Sequence, residues 1–146
     1  MLILQTSLEF LATLACAVFA GAAIYINVVE HPARMSCGTE LAATEWAPSY
    51  KRATVLQAPL AVFGFIFAVG AWLSGANVWW LIGGLLLGLV VPFTLVVIMP
   101  TNRRLLSTEL DRGSQEARQL LERWNRLHMV RGVLSLVALV IFLSNA

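Results

Sequence analysis

The sequence predicts an all-α fold: an integral membrane four-helix bundle whose last helix carries an amphipathic cytoplasmic extension. Composition is the first reason. Hydrophobic residues make up 59% of the chain, charged residues only 12%, and mean hydropathy is +0.78. Soluble domains carry about a quarter charged residues, so this balance belongs in lipid. The second reason is length. Apolar stretches at 7–29, 53–73, 78–99 and 129–145 each approach the roughly 20 residues that a helix needs to cross a bilayer. The third is charge placement. All ten Lys and Arg fall on the first or third connection or just inside a helix leaving it, and none lies in the 74–77 turn or at either terminus. By the positive-inside rule those connections are cytoplasmic and both termini external, as in a bacterial inner (plasma) membrane protein. The 146 residues are expected to form one four-span domain. The net charge of +2 then reflects topology, with no nucleic-acid partner implied.

The first span is read as a retained helix, because it lacks a basic leader and runs into polar residues. Ala17 and Gly21 are spaced for close helix approach, within the bundle or in a homo-oligomer. Its far end carries Asn27, Glu30 and His31, with Asn27 and His31 four residues apart, and Pro32 is expected to end the helix. The first loop contains Trp46, Pro48 and Tyr50, where a short interfacial helix over 38–46 is expected. Its aromatics either anchor the membrane surface or roof a pocket.

Span two brings Gln57 and Pro59, and span three brings Gly84 and Gly88, then Pro92 and Thr94. The tight 74–77 turn makes these spans antiparallel neighbours, with Trp79 and Trp80 at the external interface. Pro100 is expected to separate span three from a cytoplasmic helix capped by Thr101 or Asn102. Ser114 is expected to cap a last helix running to 145. That helix would be about 45 Å long at 1.5 Å per residue. A hydrocarbon core is about 30 Å thick, so its first turns must project from the membrane. On it Trp124, His128 and Arg131 follow i, i+4, i+7 and share a face. Arg131 needs a counter-ion, and Glu30 is the nearest carboxylate by depth.

Alternating spans bring Asn27, Glu30, His31, Gln57, Thr94, Asn102, Trp124, His128 and Arg131 to one mouth of the bundle. Both of the chain's histidines are in this set. Two imidazoles and a carboxylate can hold a transition metal, copper or iron, or can act as acid and base without one. They can equally bind haem or a quinone. Glu9 or Glu30 would serve a small proton-coupled transporter instead. Cys16 and Cys37 are placed too far apart for a disulfide, and there is no thiol-redox pair.

Pro100-Thr101-Asn102 with Leu105, followed by Arg123-Trp124, His128 and Arg131, resembles the anthrone oxygenase family of small membrane proteins. The stretch 21–32 and Pro92 with Thr94 are similar to the same pattern. The resemblance implies oxidation of a hydrophobic aromatic, anthrone-like substrate by molecular oxygen at a cytoplasmic-side pocket. It also implies His31, His128, Glu30 and Arg131 as catalytic candidates. Asn27, Tyr50, Asn102 and Trp124 become substrate-binding candidates, and His31 with His128 metal-ligand candidates.

Overall fold

In a computed structural model, which describes residues 2–146, the chain is all helix in four long rods. These are α1 (Leu2–Ser36), α2 (Thr39–Leu73), α3 (Val78–Leu105) and α4 (Gln115–Ser144), each long and apolar enough to cross a membrane. Consecutive helices pack antiparallel, and α4 closes the ring on α1. The connections are short where sequence chemistry demands it. Gly38 (φ 95°) and Gly75 (φ 110°) occupy the left-handed region that only glycine enters freely. Asn77 accepts from the Trp79 N–H, and Ser114 from the Ala117 N–H, so α3 and α4 start at satisfied caps.

The rods are longer than the apolar spans because the prolines do not stop them. Pro32 was expected to end the first helix, yet α1 continues through it to Ser36. A proline lacks the N–H of the helical ladder and crowds the carbonyl four residues back. Here a single π turn, Ile26–Glu30, precedes it, and the His31 N–H reaches the Ile26 carbonyl. α3 repeats the device. A π turn at Thr94–Ile98 sends the Met99 N–H to the Thr94 carbonyl, and Pro100 follows. The helix beyond Pro100 is therefore continuous with the span, and Thr101 and Asn102 are buried within it rather than capping it. The separate helix expected over 38–46 is likewise the start of α2, which runs through Pro48 and Pro59. Both prolines lie on the exposed side, where loss of a backbone bond leaves buried groups undisturbed.

Buried side chains gather into two clusters along the bundle axis. The far cluster, near the 74–77 turn, is built from Ala12, Cys16, Phe19, Ala61, Ala68, Ala71, Trp80, Leu87, Ala138 and Phe142. Alanine and glycine let the backbones approach closely. A Cβ on Gly84 would stand 2.8 Å from that of Ala68, and one on Gly83 would stand 2.6 Å from the Phe142 ring. Gly84 and Gly88 thus pack as their spacing suggested, whereas Gly21 meets nothing within 4 Å and faces outward. Trp79 is exposed at the expected interface, but Trp80 turns inward and stacks on Phe142 at 4.9 Å. The other cluster lies at the basic end and includes Ala42, Trp46, Ile98, Leu105, Leu121 and Trp124. α2 would be about 52 Å long at 1.5 Å per residue, so its first turns and those of α4 extend this end beyond the apolar spans.

Candidate active site

The polar side chains that the sequence placed at one mouth do meet at the basic end, but their partners differ from those expected. On α4, His128 is 1% exposed, and its Nδ1 lies 2.8 Å from Asn27 Oδ1 on α1. The Asn27 amide nitrogen donates to the Asn125 carbonyl at 3.0 Å and to its side-chain oxygen at 2.6 Å. A main-chain carbonyl can only accept, so the amide NH₂ must face Asn125 and the amide oxygen must face the imidazole. That oxygen can only accept as well, so Nδ1 carries the ring proton. Nε2 is left as the unprotonated nitrogen of the neutral ring. Asn27 was expected to pair with His31 on its own helix. It reaches across to α4 instead, and His31 packs on the indole of Trp124 (5.8 Å between centroids) with its Nδ1 buried and unpartnered.

Arg131, one turn beyond His128, does not find Glu30. Its Nη2 donates to Gln57 Oε1 on α2 at 2.9 Å, and its guanidinium carbon lies 5.4 Å from the centre of the Phe19 ring. Glu30 is bound instead by Arg34, four residues along the same helix, and by Ser49 at 2.5 Å. A helical i, i+4 partner is held in place by the backbone, which decides the competition. Arg34 is buried, bonds Ser49 at 3.1 Å and pairs with Glu45 through Nε at 2.7 Å.

Two cavities share Arg131 in their lining. The outer one, about 110 Å³, is a slot lined by Ala58, Ala61, Val90, Val91 and Leu95, with Phe19 behind it and Gln57 and Arg131 at its floor. Thr54, Ala58 and Leu95 are exposed, so the mouth opens between α2 and α3 on the side of the bundle. The inner niche, about 10 Å³, lies among Arg34, Ser49, Trp124, His128 and Arg131. Tyr50, Thr54 and Gln57 line both. Aromatic packing frames the niche: Trp46 stacks on Tyr50 at 4.9 Å and meets Trp124 edge-on at 5.7 Å, and Trp124 stacks on His128 at 4.7 Å.

Of the residues singled out from sequence, Tyr50, Gln57, Trp124, His128 and Arg131 line the niche, and Thr94 lines the slot. Asn27 stands behind His128, and Glu30 behind Arg34. Asn102 lies outside both cavities, fully buried with neither amide atom partnered. Asn125, Arg34, Ser49 and Thr54 were missed. Two of them had a signal: Arg34 follows Glu30 by four, and Asn125 precedes His128 by three. The metal reading finds no support: no group of three His, Cys, Asp or Glu converges among the described residues.

The sequence model of a family described as anthrone oxygenase matches residues 46–141. The chain is 31% identical over 118 residues to the anthrone oxygenase ptaC of Pestalotiopsis fici, covering 71% of this chain and 84% of that protein. No solved structure matches it.

Proposed function

The chain belongs to the anthrone oxygenase family, and we propose that it is a membrane-embedded oxygenase acting on a hydrophobic, anthrone-like aromatic. The substrate enters sideways from the lipid through the α2–α3 slot and reacts where the slot meets the niche, with the basic end facing the cytoplasm. One observation carries the reading: the Asn125–Asn27–His128 chain holds an imidazole base in the niche, one turn from a guanidinium that also lines the apolar slot.

The chemistry suits those groups. An anthrone has a methylene between aromatic rings, opposite a carbonyl. His128 Nε2 removes one methylene proton, and charge moves onto the carbonyl oxygen beside Arg131. The anion is electron-rich enough to reduce dioxygen. Overall CH₂ becomes C=O: the carbon gains one oxygen atom and loses four electrons. Dioxygen accepts those four electrons, and its second oxygen leaves as water with both methylene hydrogens. No outside reductant is needed for the balance. Tyr50, which lines both cavities, borders the substrate where slot and niche meet, while Trp124 packs on the imidazole and Asn27 holds it as a positioning residue. Glu30 and His31 serve the same end by fixing Arg34 and Trp124.

The test is oxygen uptake by detergent-purified protein supplied with an anthrone. Uptake that depends on wild-type protein and disappears in His128→Ala supports the proposal. Uptake unchanged in both His128→Ala and His31→Ala rejects it.

A further inference from the structure

The two arginines of the niche differ in one respect. Arg34 is neutralised by Glu30 and Glu45. Arg131 has no carboxylate within ion-pairing distance among the described residues. Its one hydrogen-bond acceptor is the neutral amide of Gln57, and its Nε is buried without a partner. The other ionisable groups lining the niche are Tyr50 on α2 and His128 on α4, and neither pairs with it. A guanidinium this far inside an apolar bundle is costly without a counter-charge. The fold provides space for one. Both cavities open onto Arg131, and the inner one, at about 10 Å³, is of the size that takes one water-sized oxygen.

We propose that the ligand supplies the missing charge: the site selects an aromatic that binds as its oxyanion, a phenolate or enolate, with that oxygen on Arg131 and the apolar rings in the slot. This deepens the proposed function, since it rests on the slot being the ligand site. It concerns binding rather than turnover. A lipid phosphate reaching Arg131 through the outer slot is the competing source of charge.

A monohydroxyanthraquinone is a suitable probe, because its phenolate absorbs at longer wavelength than the phenol. Titrated in phospholipid-free detergent, the dye bound to wild-type protein is expected to ionise at least about one pH unit lower than free dye, as a neighbouring cation dictates. Arg131→Gln should abolish that shift while still binding unsubstituted anthraquinone, and Arg131→Lys should keep part of it. Gln57→Glu is the second variant: it places a carboxylate on the guanidinium and should also return the dye to its neutral form. Dye bound to wild-type protein as the neutral phenol overturns the proposal, as does a shift that survives Gln57→Glu. Loss of the shift on adding phosphatidylglycerol, with anthraquinone still bound, assigns the site to a lipid phosphate and also overturns it. The experiment uses no oxygen, so a phenolate signature without oxygen uptake would defeat the oxygenase reading and leave this one standing.

Discussion

The two ends of the bundle are made by the same four helices and differ in what those helices bury. The far end buries alanine, leucine, phenylalanine and an indole stacked on Phe142. The basic end also buries stacked indoles, but packs around them two imidazoles, three amides and a guanidinium. At the far end close approach of backbones suffices, so small residues serve, with glycine needed where Gly84 meets Ala68. At the basic end each polar group needs a particular partner, and most partners come from another helix. Asn27 with His128, Arg131 with Gln57, and Arg34 with Ser49 and Glu45 tie α1, α2 and α4 together. The far end therefore reads as a clamp, and the basic end as a device mounted on it.

Substitutions at the two ends should separate in kind. The largest effect belongs to His128→Ala, expected to lower anthrone-dependent oxygen uptake by about 10²- to 10⁴-fold, the usual worth of a general base. Circular dichroism and melting temperature should show that the helices survive. Asn27→Ala should follow, with a loss of about 10- to 100-fold in kcat, because the imidazole would no longer be held in one tautomer. KM should change less than kcat; an effect confined to KM would remove Asn27 from the positioning role.

At the far end the signs reverse. Gly84→Val overfills the contact with Ala68 and should cost about 1–3 kcal/mol of stability. Activity per folded molecule should stay near wild type, measured by detergent melting alongside uptake. The smallest effect is expected for Glu45→Gln. Glu45 is half exposed and Arg34 keeps Glu30, so the loss should be no more than about 1 kcal/mol.

Much of this contrast can be read directly from the sequence. Hydropathy marks the four helices, Ser114 does cap α4, and alternation of spans brings the polar residues to one end. Two things resisted. Pro32 and Pro100 read as stops, because a π turn has no composition of its own and arises from what surrounds it. Pairings also resisted, since depth alone suggested Glu30 for Arg131 while the helix had already given Glu30 to Arg34. Sequence shows which groups are too polar to face lipid; only the packed helices decide which of them meet.

The claim on which the rest depends is the tautomer of His128. Nitrogen-15 NMR of histidine-labelled protein in micelles reads it directly, with His128→Gln assigning the resonance. Nδ1 is predicted to carry the proton and Nε2 to have none. A proton on Nε2 with Nδ1 bare would mean that Asn27 does not hold the ring as described, and the base would point away from the substrate.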